Sequence, residues 1–200
     1  FVSESAEFAG GCGWWQSQLI GHPSSAIRLL GDKVQAKELC RKVGAPTIPG
    51  SLGTVDTVEE AKKVAEEVGY PVLVKAAAGG GGRGIRRAHT ALTLTNAFMT
   101  TRAEAEAGFG RGDVYIEKII VEPRHVEVQV FADMHGNYVY LGERDCTVQR
   151  RHQKLIEEAP SPVLDEALRK QIGETAVKGV KGVGYVGAGT IEFLYDQDAK

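Results

Sequence analysis

At 200 residues, with 42% hydrophobic and 25% charged positions, the chain has the composition of a soluble globular protein of one domain or two small ones. A formal charge of −2 supplies no overall attraction to nucleic acid or to a membrane surface, so any polyanion site has to be local. Three scattered cysteines, Cys12, Cys40 and Cys146, form no CxxC pair, which argues against a disulfide framework or zinc site and for a reducing compartment.

No window approaches 18 uninterrupted apolar residues, and no charged-then-apolar leader is visible. Residues 24–43 place Ile27, Leu30, Val34, Leu39 and Val43 at helical spacing, with Ser24 or Ser25 as N-cap, Gly31 as a break and Gly44 as a stop. Residues 45–51 read as a loop. Thr57 then opens a second helix with Glu60 at the capping-box position and Gly69 as terminator. Residues 70–75 form an apolar strand ending on Lys75, followed by a glycine run and a short extended piece at 85–88. A helix over 90–107 and a strand over 114–120 come next. Residues 125–132 alternate with period two, 133–137 make a hairpin turn, and 138–141 return. Another helix spans 163–183, and a final strand covers 189–196. Helices mixed with antiparallel hairpins give an α+β class rather than a doubly wound parallel sheet.

Gly79-Gly80-Gly81-Gly82-Arg83-Gly84 matches GxGxxG formally, but no helix opens on the last glycine, and no Gly-Lys-Ser/Thr follows as in a Walker A loop. Strand, glycine loop, short strand is the layout of a flap that lies over phosphates with its backbone N–H groups, as protein kinases use. On the loop alone, a flexible surface hairpin is an equal reading. Lys75 shifts the balance, because it closes the strand at the point where a cation meets nucleotide charge.

A second dense region runs from Glu143 to Pro160. Charge runs usually end as solvated loops. This one mixes signs and directly follows a strand, and Gln149, Arg151, His152 and Lys154 together suit a polyanionic ligand. Without interleaved aromatics the basic residues do not resemble a nucleic-acid site. Glu192, inside an alternating strand, is a solvent-facing carboxylate on its own. Beside phosphates it is also a Mg²⁺ ligand, since magnesium takes oxygen donors shared with substrate phosphate.

GDKVQAKEL, GYPVLVKAAAGGGGRGI, PRHVEVQVFAD, ERDCTVQRRHQKLIEEAPSP and GYVGAGTIEFL, in this order from about residue 24 to 196, resemble the biotin carboxylase subunit or domain of biotin-dependent carboxylases, an ATP-grasp fold. The EEAPSP wording is most similar to the bacterial or plastid acetyl-CoA carboxylase type of fatty acid synthesis, and pyruvate, propionyl-CoA and methylcrotonyl-CoA carboxylases share most of the motifs. The resemblance implies an ATP-dependent ligase that uses MgATP (or the Mn²⁺ form) and bicarbonate to make carboxyphosphate and carboxylates biotin on a carrier protein. It implies that Lys33 and Lys75 contact ATP phosphates, that Gly81 and Gly82 lie over them, and that Glu117, Lys118 and Ile120 form the hinge for adenine and ribose. His125, Gln149 and His152 complete the nucleotide pocket, Lys154 binds bicarbonate and Glu192 is one Mg²⁺ ligand.

As further implications, residues 1–30 end a preceding Rossmann-like domain, 31–46 connect, 47–118 form the lid with its glycine flap, and 119–200 begin the C-terminal subdomain. The expected partners are a biotin carboxyl carrier protein and a carboxyltransferase, without nucleic acid or membrane, in a homodimeric parent of the cytoplasm, plastid or mitochondrial matrix. Two departures stand out. Residues 10–22 fit the pattern poorly, with Trp14-Trp15 expected at least partly exposed. The family's second Mg²⁺-binding glutamate, an asparagine and an arginine, which follow Glu192, are absent, so the isolated chain is expected to be inactive. Two other readings stay open: a non-catalytic nucleotide-binding module, and another ATP-grasp ligase of amino-acid or carbamoyl phosphate type, against which RRHQK after ERDC argues.

Overall fold

The computed structural model describes residues 5–17, 19–31, 33–77, 84–150 and 153–197. The elements in chain order are α1 (Ala6–Trp14), α2 (Ser24–Gly31), α3 (Lys33–Lys42), α4 (Val58–Val68), β1 (Val72–Ala76), β2 (Ile85–Ala88), α5 (Ala91–Phe109), β3 (Val114–Lys118), β4 (Arg124–Ala132), β5 (Tyr138–Arg150), β6 (Gln153–Glu158), α6 (Glu166–Gly182) and β7 (Gly187–Tyr195). They divide into two compact units, one of residues 32–38 and 46–120, the other of residues 1–31, 39–45 and 121–200. Among the described residues no helix is long and apolar enough to cross a membrane.

In the unit of residues 46–120, antiparallel strands run in the order β2-β1-β3. α4 starts where the sequence places it: the Thr57 side chain accepts from the Glu60 N–H at 3.2 Å, and the Glu60 carboxylate accepts from the Asp56 N–H at 3.0 Å. α5 carries a Thr90–Thr93 capping box and ends on Gly110 in the left-handed region. Val72, Val74, Val114 and Ile116 turn one sheet face onto Ala61, Ala65, Leu94 and Phe98 of these helices. The alternate positions therefore point away from the helices. Leu73 and Lys75 of β1 lie opposite Glu117 and Tyr115 of β3 on this second face. Residues 49–51 run along β3 so closely that a Cβ on Gly50 would lie 2.1 Å from the Ile116 carbonyl oxygen.

The other unit holds the antiparallel sheet β6-β5-β4-β7 with α6 on one face. Val128, Val130 and Ala132 of β4 pack on Ala176, Val180 and Tyr185. At the hairpin turn Asp133 accepts from the His135 and Asn137 N–H groups, each at 2.8 Å. β4 and β5 do not pair evenly. Val128 lies opposite Glu143 but Val130 lies opposite Tyr140, so β5 contains one extra residue, and Gly142 there has φ +95°.

Several expectations need correction. The break expected at Gly31 falls where α2 ends, but Ser24 lies inside the first turn of α2 rather than capping it. β3 stops at Lys118, where its N–H bonds to the Pro49 carbonyl at 2.8 Å. The charged region is no loop: β5 continues through it and β6 returns. α1, unforeseen in a stretch with three glycines, is capped by Ser5; Trp14 and Trp15 are exposed, as expected.

Candidate functional site

Lys75 stands at the penultimate position of β1, on the face turned away from the helices. Its ammonium donates to Oε2 of Glu117 at 2.5 Å, and the Lys37 ammonium of α3 pairs with Oε1 at 2.8 Å. Glu117 is only 5% exposed. Burial alone would raise its carboxyl pKa, but Lys75 and Lys37 together outweigh that and hold it below the usual carboxylate range. Tyr115, one step along the same face, has its phenol pushed up, first by burial and then by the Glu117 charge. The Lys37 ammonium sits 5.6 Å from the centre of the Tyr115 ring. This is a buried cluster of two cations and one anion, with net positive charge.

Lys118 points elsewhere. Its ammonium donates to the carbonyls of Gly69 and Tyr70 at 2.8 and 3.0 Å, at the end of α4. Ile120 follows β3 and is half-buried.

A second cluster covers the face of the β6-β5-β4-β7 sheet opposite α6. Val126, Val128 and Val130 face α6, so His125, Glu127 and Gln129 face the other way. Glu127 lies opposite Arg144 on β5 and Glu192 on β7. Arg144 donates from Nε to Glu127 Oε1 at 2.7 Å and from Nη2 to Gln129 Oε1 at 3.1 Å. Lys154 of β6 donates to Glu127 Oε2, and Glu157 lies 3.9 Å from both cations. The bond from Glu127 raises the Lys154 pKa against a smaller opposing effect of burial. Burial would raise Glu127, but Lys154 and Arg144 lower it further than burial lifts it.

His125 is fixed by its backbone: its N–H donates to Thr147 Oγ1 at 2.9 Å, and Thr147 is in turn held by Asp145. Its ring Nδ1 lies 3.4 Å from Glu192 Oε1. Gln149 donates to the Cys146 carbonyl at 2.9 Å and pairs in register with Lys154. The sheet thus brings His125, Gln149, Lys154 and Glu192 into one unit, while Lys75, Glu117, Lys118 and Ile120 belong to the other. Lys33 opens α3, and its side chain, like Gly81, Gly82 and His152, lies outside the described residues.

Sequence reasoning passed over Lys37, Glu127 and Arg144. The alternation of β4 marked Glu127 as facing away from the core, the position of an exposed residue, yet it is 4% exposed because cations from two other strands cover it. Asp145 and Glu143 are buried carboxylates on the α6 side, matched by Arg124 at 2.9 Å and Arg169 at 2.7 Å. Among the described residues no three His, Cys, Asp or Glu side chains are grouped to hold a metal ion.

Comparison with known proteins gives the family of the chain. Residues 32–200 match the family described as carbamoyl-phosphate synthase L chain, ATP binding domain. The chain is 51% identical over 200 residues to a biotin carboxylase of Nostoc sp., covering 100% of this chain and 45% of that protein. Among solved structures it is similar to the biotin carboxylase–beta-gamma-ATP complex from Campylobacter jejuni, at 48% identity and TM-score 0.94, covering 100% of this chain and 45% of that one. It is also similar to the biotin carboxylase domain dimer of the Hydrogenobacter thermophilus 2-oxoglutarate carboxylase, in complex with MgADP, ADP and bicarbonate, at 46% identity and TM-score 0.93, covering 100% and 44%. The chain therefore spans less than half the length of these relatives, and its α+β arrangement is part of the ATP-grasp fold of these neighbours.

Proposed function

This chain belongs to the carbamoyl-phosphate synthase L chain, ATP-binding domain family, and from that premise we propose that its protein is an ATP-dependent ligase that carboxylates carrier-bound biotin with bicarbonate, through carboxyphosphate. The observation that carries the reading is the charged sheet face on which Lys154 is held, protonated, between Glu127 and the Glu157 carboxylate. An ammonium whose proton affinity is raised binds and stabilises an anion; it is no general base near neutral pH. Lys154 would bind bicarbonate and steady the charge of the carboxyphosphate, with Glu127 fixing where the ammonium sits.

Lys75 would meet the nucleotide phosphates, joined by Lys33 and by Gly81 and Gly82 of the flap. Glu117 and the segment through Lys118 and Ile120 would hold adenine and ribose, and His125, Gln149 and His152 the rest of the nucleotide. In this reading residues 47–118 are the lid. Glu192 suits Mg²⁺ as one ligand of a set completed by phosphate oxygens, since its carboxylate is about half exposed and its one described ion-pair partner is His125 at 3.4 Å. When bound, the metal would offset phosphate charge. Glu127, opposite it, is already engaged by two cations.

Its role is read as the acetyl-CoA carboxylase one in fatty acid synthesis, with a carrier protein and a carboxyltransferase, on the EEAPSP wording of the sequence. A homodimer of a cytoplasmic or plastid type accords with the relatives named biotin carboxylase, one of them chloroplastic, and with the domain dimer. The 2-oxoglutarate carboxylase relative supports a keto acid as the alternative final acceptor. The isolated 200 residues, less than half of such a protein, are proposed to be inactive. The test is bicarbonate-dependent ADP release with free biotin by the full protein. Lys154→Ala is expected to abolish carboxylation while nucleotide binding stays within about threefold, and His152→Ala to weaken the nucleotide first. Equal effects of both on nucleotide affinity, or biotin-dependent turnover by Lys154→Ala, would overturn the assignment.

A further inference from the structure

We propose that Lys37 is a positioning residue for nucleotide binding: it holds the Glu117 carboxylate so that Lys75 is free to engage phosphate. The proposal rests on the nucleotide reading of Lys75 given above. Each oxygen of Glu117 has its own ammonium, Lys75 on Oε2 at 2.5 Å and Lys37 on Oε1 at 2.8 Å. Glu117 is almost fully buried. With Lys75 as its sole partner, drawing that ammonium to a ligand would strand a buried charge, so the lysine would stay locked in place. Lys37 removes that lock, because the carboxylate keeps one cation after Lys75 has left.

Lys37 is suited to stay behind. Its nitrogen is buried and forms no aligned hydrogen bond beyond the ion pair, so nothing else among the described residues competes for it. The Tyr115 ring, 5.6 Å away, offers it a cation–π surface. Lys75 is the more exposed of the two ammonium side chains, at 20% against 14%, and so the one a ligand reaches. The charged and titratable groups facing Glu117 among the described residues are Lys75 of β1, Lys37 of α3 and Tyr115 of β3. Lys118, the next residue, is turned to the Gly69 and Tyr70 carbonyls.

Without Lys37, engagement of Lys75 by a phosphate would leave burial as the dominant influence on Glu117, and the carboxyl would take up a proton. Nucleotide binding to a Lys37-deficient protein therefore becomes proton-linked, which a merely structural lysine does not produce. The experiment is calorimetric titration of the full protein with MgADP between about pH 6 and pH 8.5, a window above the ordinary glutamate value. Lys37→Met is expected to weaken binding about 10- to 100-fold at the upper end, as removal of one partner of a buried pair does. The defect should shrink toward pH 6, and Lys37→Arg should restore affinity to within about threefold. Lys37→Gln, read the same way, covers the case in which Lys37→Met does not fold. Unchanged affinity with a flat pH profile overturns the role of Lys37 and leaves the nucleotide reading standing. A pH-independent loss that Lys37→Arg does not rescue also overturns it, as packing. Failure of the unmodified protein to bind MgADP overturns the nucleotide reading and this inference with it.

Discussion

Replacing Glu127 by Gln keeps the volume of the side chain and removes one charge from beneath two cations. Glu127 is 4% exposed, so the loss is that of a buried partner, for which about 3–5 kcal/mol is typical. Arg144 and Lys154 are 30% and 37% exposed, and Glu157 stands 3.9 Å from each, so both cations regain solvent and a weaker partner. Discounting for that screening leaves about 1–2 kcal/mol. Hydrogen exchange of the β4 and β5 amides reads this locally, and about 5- to 30-fold faster exchange is expected there. Lys154 should also titrate at lower pH, because the Glu127 bond is the main reason its pKa is raised. Competitive labelling of Lys154 across the alkaline range measures that. In the unmodified protein the pair is complete at neutral pH. The Lys154 contribution is lost only as pH rises through its raised value, and the Glu127 contribution as pH falls through its lowered one. Exchange within twofold of the parent together with unchanged Lys154 titration would refute the reasoning.

Lys75→Met is expected to weaken nucleotide binding about 10- to 100-fold, the worth of one charge-assisted contact to phosphate, with little change in thermal stability; a large drop in melting temperature with unaltered nucleotide affinity would make Lys75 structural. Gly50→Ala should destabilise the unit of residues 46–120 by about 2 kcal/mol or more, since the new methyl meets backbone at 2.1 Å that cannot swing aside; unchanged urea unfolding would count against that contact. Arg169→Met should cost about 2–3 kcal/mol, because among the described residues it leaves the buried Glu143 carboxylate only the Ser161 N–H at 3.1 Å; urea unfolding measures the loss, and unchanged stability would exclude an unpaired buried charge.

Much of the frame was legible because it rests on local chemistry. Thr57 with Glu60, the period-two run of β4 and the Asp133 turn each act over a few residues, and each forms as the sequence suggests. Lys75 could be singled out, since a cation closing an apolar strand is a local signal. Its partnership with Glu117 is 42 residues distant, and nothing near Lys37 marks it as the second cation of that carboxylate. Glu127 was passed over for the same reason: period two gives a face, whereas burial depends on which strands lie alongside. α1 escaped notice because its three glycines weaken helix propensity. The charged stretch after Leu141 is strand because β4 on one side and β6 on the other satisfy its backbone, which composition does not report.

The single surplus residue at Gly142 decides which side of the sheet receives which chemistry. Without it, β5 would keep one parity from Tyr138 to Asp145, and Arg144 would share the side of Tyr138 and Tyr140, toward α6. Glu143 and Asp145 would then stand on the side of Glu127, as carboxylates against a carboxylate. With it, parity changes between Tyr140 and Glu143. Arg144 crosses to meet Glu127, while Glu143 turns to Arg169 on the helix side. A positive φ of 95° makes glycine the residue suited to that step. Opposite charges find one another across this sheet through a change of count rather than a change of composition, so losing one glycine would scramble ion pairs on both faces while every charged residue stayed in the chain.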